Sequence, residues 1–145
     1  MGYYFSRLES LSRFSTCSRR QVAAMIINPT TKRPLGAGYN GSPHEPCKAL
    51  GGCLREQMGI ESGTRQEVCR AVHAEQEAIV QTWNNGNGKE LKGAVMIVTH
   101  APCSICARMI IRVGIKAVYY KEGYPDEMGK KLLEEAGITC QQRVF

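Results

Sequence analysis

The chain has no apolar run long enough to cross a bilayer as a helix, which excludes a helical membrane protein. Aromatic residues are scarce: one Trp and three Phe leave little for the exposed stacking platform that single-stranded nucleic acids use. There is no arginine-rich tail, no basic low-complexity stretch and no internal repeat. The formal charge of +6 therefore fits an anionic ligand without pointing to a basic groove for nucleic acid. Residues 1–15 carry Arg7, Glu9 and Arg13 among their apolar positions, too interrupted for a secretory signal, so the expectation is a cytosolic protein. A length of 145 residues, with no shift in composition along it, suits one domain around one core, spanning 1–145.

Hydrophobic spacing predicts alternating elements. Tyr4, Leu8 and Leu11 lie at helical spacing within residues 3–14. Strands are expected at 22–27 and 35–39, joined through the turn at Asn28 and Pro29. Residues 40–69 are irregular and rich in Gly, Pro, Cys and charge, with a short helix at 54–58; so long a stretch needs a function or a clamp. Beyond it come helices at 73–83, 103–113 and 126–136 and strands at 94–99, 115–120 and 138–144. This alternation predicts a three-layer α/β/α sandwich with a mixed, mostly five-stranded sheet.

Cysteine is abundant. Seven in a reducing compartment read as metal ligands or nucleophiles rather than disulfides. Val72-His73-Ala74-Glu75 opens one expected helix and Ala101-Pro102-Cys103-Ser104-Ile105-Cys106 opens the next. Cys-x-x-Cys alone also marks structural zinc or a redox pair, and a lone His at a helix start is usually a capping or surface residue. The joint pattern His-x-Glu with Pro-Cys-x-x-Cys is the signature of zinc-dependent nucleobase deaminases. Cys103 and Cys106 share one helix face, and the positive helix end favours their thiolates. With His73 they make three ligands, leaving a fourth tetrahedral position for water as a catalytic zinc requires. Glu75 is then placed to move a proton from that water to N3 of a cytosine ring and on to the departing ammonia.

Ser15-Thr-Cys-Ser-Arg-Arg-Gln-Val22, Gly38-Tyr-Asn-Gly41, His73-Ala-Glu75, Thr99-His-Ala-Pro-Cys-Ser-Ile-Cys106 and Glu122-Gly-Tyr-Pro-Asp126 together give a resemblance over nearly the whole chain. The chain resembles the deoxycytidylate (dCMP) deaminase family, within the cytidine deaminase-like superfamily. The resemblance implies hydrolytic deamination of dCMP to dUMP and ammonia. Other cytosine nucleotides (dCTP, CMP or a 5-modified dCMP) and, more distantly, a base within a nucleic acid are alternative substrates. It implies that Arg19 contacts the substrate phosphate, that Asn40 contacts sugar or phosphate, that Ala74 belongs to the substrate-binding group, and that Tyr124 closes the phosphate end. It also implies assembly into a homo-oligomer, hexamer or dimer, with dCTP and dTTP as effectors. Two positions depart from the family pattern: Ala23 stands where Gly is common and Glu77 where Asn is common. An added carboxylate at 77 would alter the pocket mouth or else face solvent.

Cys17, Cys47, Cys53 and Cys69 remain, with Cys140 left over. Similar deaminases carry a second, structural zinc near such an insert, at about 41–70 here, and four cysteines would make a closed site. Arg19, Arg20, Lys48, Arg55 and Arg70 lie close in sequence to offset its charge. The alternative is small buried thiols, and His44 could replace one cysteine. His100, beside the Pro-Cys motif, reads as pocket wall rather than ligand, and Cys140 as an ordinary thiol.

Overall fold

The computed structural model describes residues 1–17, 19–124 and 126–143. Strand β1 (Ala23–Ile27) is buried at every position because helices cover both faces of the sheet it belongs to. Side chains alternate along a strand. Ala24 and Ile26 accordingly join Met96, Val98, Ile110 and Leu133 in one core, while Ala23, Met25 and Ile27 join Phe5, Leu8 and Ile97 in another. The second core lies under helix α1 (Gly2–Ser12), which buries Phe5 and Leu8. The first lies under α3 (Ala74–Asn84), α4 (Ser104–Val113) and α5 (Met128–Glu135). Between α1 and that group runs a five-stranded sheet in the order β2-β1-β3-β4-β5, completed by β2 (Pro34–Tyr39), β3 (Val95–His100), β4 (Ala117–Glu122) and β5 (Thr139–Gln142). The expected α/β/α sandwich with a mixed sheet is thus observed.

β1 runs antiparallel to both β2 and β3, whereas β3, β4 and β5 are parallel. Parallel neighbours need crossovers, and α4 and α5 supply them. The turn from β1 to β2 follows from Asn28, whose side-chain oxygen accepts from the N–H groups of Thr30 (2.8 Å) and Thr31 (3.1 Å). The helix expected at 126–136 begins later, because the Asp126 carboxylate accepts from the Met128 N–H (2.9 Å) in a turn ahead of it. β5 ends at Gln142, and the expected extension to Val144 falls outside the described residues. The irregular region keeps one short helix, α2 (Leu54–Gln57), and a 3-10 turn (Gln66–Val68).

This topology positions the site. β1 is antiparallel to β3, so its beginning lies beside the end of β3, with Ala24 opposite Val98. The end of β2 lies there too, with Tyr39 opposite Ala23. Ligand sites in open α/β sheets form beyond strand carboxyl ends where strand direction switches, and β3 is that switch strand. Helix α5 braces the same end: a Cβ at Gly129 would stand 2.1 Å from the Pro102 carbonyl oxygen and 2.8 Å from the Cys103 carbonyl carbon. Gly129→Ala must therefore push α5 off the Pro102–Cys103 backbone, at a cost of about 1–3 kcal/mol. Chemical denaturation should show this loss for Gly129→Ala, and none for Gly123→Ala, where a Cβ meets nothing within 4 Å.

Candidate active site and metal centre

Two helix starts meet at this end of the sheet. His73 is the N-cap of α3, and its N–H donates to the Gln76 side-chain oxygen (2.8 Å), which fixes the entry of the chain into the helix. Cys103 is the N-cap of α4, following the fully buried Pro102, and Cys106 lies in the first turn. His73 Nδ1 is 3.2 Å from Cys106 Sγ and 3.5 Å from Cys103 Sγ. Zinc–ligand bonds of 2.0–2.3 Å in a tetrahedron require about 3.6 Å between such donor atoms. Among the described residues, these three form the one group of three or more His, Cys, Asp or Glu side chains whose ligand atoms lie within 4.8 Å of one another. The donor set and its spacing therefore fit zinc.

Crowding of these donors perturbs the protonation of each of them. Cys103 is held down to about 4, chiefly by the hydrogen bond with Cys106 and against the effect of burial, with His73 adding to the lowering. Burial opposes a charged His73, but Cys103, Cys69 and Glu75 outweigh it and push the imidazole up to about 10. Cys106 is raised well above the usual thiol range by Cys103 and by burial. Glu75, only 5% exposed, is raised by burial, with His73 and Cys106 pulling the other way.

Arg20, Val22, Asn40, Gln66, His73, Ala74, Glu75, His100, Ala101, Cys103 and Tyr124 line one pocket enclosing about 460 Å³ of empty space, part of it open to solvent. Ala74, Asn40 and Tyr124 thus stand beside the three metal-binding candidates and Glu75. Arg19 does not. Its guanidinium donates to the Ile60 carbonyl (3.2 Å) and pairs with Glu56 (3.4 Å), so it is spent on the insert. Its neighbour Arg20 lines the pocket instead, with its guanidinium carbon 4.9 Å from the centre of the Tyr124 ring.

Asn40 explains the swap. Its side-chain oxygen accepts from Ser15 Oγ (2.6 Å) and Val22 N (2.8 Å), and its Nδ2 donates to the Arg20 carbonyl (2.8 Å). One buried amide thereby sets the path of the segment that carries both arginines. Arg20 and Gln66 were missed in the sequence: Arg20 for want of that path, Gln66 because nothing near it in sequence marks it. Tyr124 accepts a hydrogen bond from Gln66 Nε2, and burial pushes its phenol up to about 12, so it stays protonated at neutral pH. His100 stands in the pocket wall, with Nδ1 2.9 Å from Thr99 Oγ1 and Nε2 3.0 Å from Glu122 Oε2.

The two departures from the family pattern do not reach this pocket. Ala23 faces the core under α1. Glu77 accepts from Gln81 Nε2 (2.8 Å) and lines a separate groove beside Tyr39 and Gly41. Cys140 is buried in β5. Among the described residues the sulfurs of Cys17, Cys47, Cys53 and Cys69 form no further group of three or more metal-binding side chains; Cys69 is lowered from the usual thiol range chiefly by a hydrogen bond with His73, and His44 Nδ1 accepts from the Glu45 N–H (2.7 Å). No helix among the described residues is long and apolar enough to cross a membrane.

Comparison with known proteins gives the family. The family model for the cytidine and deoxycytidylate deaminase zinc-binding region matches residues 3–122, and the chain belongs to that family. It is 36% identical over 142 residues to ComE operon protein 2 of Bacillus subtilis, covering 97% of this chain and 69% of that protein. It is 32% identical over 145 residues to the deoxycytidylate deaminase of Saccharomyces cerevisiae, covering 98% of this chain but 44% of the yeast protein, so it spans less than half of that relative. A dCMP deaminase of the cyanophage S-TIM5, solved in complex with dCMP and dUMP, superposes with a TM-score of 0.74 at 25% identity, covering 98% of this chain and 95% of that one.

Replacing Asn40 by Ala leaves the buried Val22 N–H and the Arg20 carbonyl without partners. It should cost about 2 kcal/mol or more, read as a lowered midpoint in urea unfolding.

Proposed function

We propose that this chain is a zinc-dependent hydrolytic deaminase that converts dCMP to dUMP and ammonia. The observation that carries this reading is the convergence of His73, Cys103 and Cys106 with the buried Glu75 beside a pocket that Arg20 also lines. The relatives named deoxycytidylate deaminase, and the phage enzyme bound to dCMP and dUMP, support the choice of nucleotide.

His73, Cys103 and Cys106 would hold the zinc, which when bound lowers the pKa of water toward neutrality and so supplies a nucleophile. Glu75 handles the protons. Burial raises its carboxyl above the ordinary carboxylate range, which favours its taking up a proton. As carboxylate it takes a proton from the attacking water and as acid it gives one to N3 of the cytosine. With the water oxygen bonded to C4, it takes the remaining proton of that oxygen and passes it to the amino group, which departs as ammonia as the C4 carbonyl forms. Ala74 and Val22, both buried, offer the base an apolar surface. Arg20 provides paired N–H donors for a phosphate, with Tyr124 beside it. Asn40 keeps Arg20 in place through its carbonyl.

The same reading extends to a single domain over 1–145, working in the cytoplasm as a homo-oligomer, hexamer or dimer, with dCTP and dTTP as effectors. The family resemblance is its support. It also extends to a structural zinc held by Cys17, Cys47, Cys53 and Cys69. In its favour, Arg70 donates to the Gly52 (3.0 Å) and Leu50 (3.3 Å) carbonyls, docking the Cys69 segment on the loop between Cys47 and Cys53. Arg19 docks the Cys17 segment on the same insert.

The test is loss of cytosine absorbance with dCMP, dCTP, CMP, deoxycytidine and a cytosine-containing oligonucleotide. dCMP should give the highest kcat/KM, and turnover of the oligonucleotide alone would overturn the reading. Glu75→Gln should lower kcat by about 10²–10⁴-fold while metal analysis shows zinc retained. Cys53→Ser should lose about one equivalent of zinc per chain and lower the melting temperature, with less effect on kcat; unchanged zinc content would refute the structural site.

A further inference from the structure

The insert sends one side chain into the pocket. Arg65 has φ 47° and ψ 56°, a left-handed conformation that non-glycine residues rarely adopt. Such a conformation persists where its surroundings fix it. Its effect is to start the turn Gln66–Val68 and carry Gln66 to Tyr124, 58 residues away in sequence.

Gln66 and Tyr124 line both the reaction pocket and an adjoining outer cavity with Arg65, Ser104 and Arg108 on its walls. Their hydrogen bond is the seam between the two spaces. A phenol oxygen has one proton to donate and lone pairs to accept with. Because the Gln66 N–H occupies an acceptor position, the hydroxyl proton is left to point elsewhere. Beside it stands the Arg20 guanidinium, over the ring face. The group that suits a hydroxyl donor next to a guanidinium is an anionic oxygen.

We propose that Gln66 is a positioning residue for the nucleotide phosphate. By donating to the Tyr124 oxygen it turns the Tyr124 hydroxyl proton toward a phosphate oxygen held by Arg20. Gln66 acts through Tyr124, so its effect belongs to binding of the phosphate and not to the chemistry at the base. This inference rests on the nucleotide reading above.

The experiment pairs kinetics with calorimetric binding of dUMP, using the zinc-loaded full chain. Gln66→Met keeps the length of the side chain and removes the donor. Gln66 is half-buried on a loop, so the variant should fold. It should weaken dUMP binding and raise KM for dCMP by about tenfold, with kcat changed by less than about twofold. Its kcat/KM for deoxycytidine, which has no phosphate, should equal that of the wild type. The double variant with Tyr124→Phe should be no worse than Tyr124→Phe alone, because both remove the same contact. Losses that add, or equal losses on dCMP and deoxycytidine, overturn the proposal. A wild type active on dCMP with an unchanged Gln66→Met overturns it while leaving the proposed function standing. A wild type that neither turns over dCMP nor binds dUMP overturns both.

Discussion

Everything in this molecule depends on the meeting of two helix starts, α3 and α4, at one end of the sheet. Each presents its first residues, with unpaired N–H groups and the positive end of a helix dipole, to the same small volume. That is where an imidazole and two sulfurs come within 4.8 Å of one another. Without the meeting, His73 is an ordinary N-cap and Cys103 and Cys106 are a pair of thiols. Their perturbed protonation follows from the crowding, as does the burial of Glu75 in the first turn of α3.

The sheet makes the meeting possible. Parallel pairing of β3 with β4 sends the chain out through α4, while antiparallel pairing of β1 brings Val22 and Arg20 back to the same end. Asn40 then joins the β2 exit to the segment before β1 with three hydrogen bonds from one buried amide. The metal-binding candidates come from helix starts, and the arginine that lines the pocket, Arg20, comes from a loop tied down by that amide. Glu77 and Ala23 depart from the family pattern at no cost to this arrangement, because both face elsewhere.

Much of this could be read in the sequence, for physical reasons. Buried strands such as Ala23–Ile27 and Val95–His100 are continuous apolar runs, and helix starts are marked by the residues that cap them. His73, Glu75, Cys103 and Cys106 were legible because their spacing is a property of single helix starts. Arg20 was not. The choice between adjacent arginines depends on the twist of one loop, and that twist is set by Asn40, twenty residues further on. Gln66 was hidden for a similar reason, since it reaches Tyr124 only through the backbone of Arg65. The insert cysteines sit in a stretch with no period, where spacing along the chain says little about spacing in space. Among the described residues their sulfurs form no metal-ligand group beyond the one at His73.

The contact of Gly129 with the Pro102 carbonyl gives the last helix a role out of proportion to its chemistry. α5 contributes no donor atom to the metal-binding group, yet it lies against the backbone of the loop that presents both sulfurs. It works as a splint. A chain shortened before α5 would keep every ligand and the carboxylate in its sequence but would lose the stiffness that keeps two thiolates at a fixed separation. Where that chain ends thus bears on how tightly the ion is gripped.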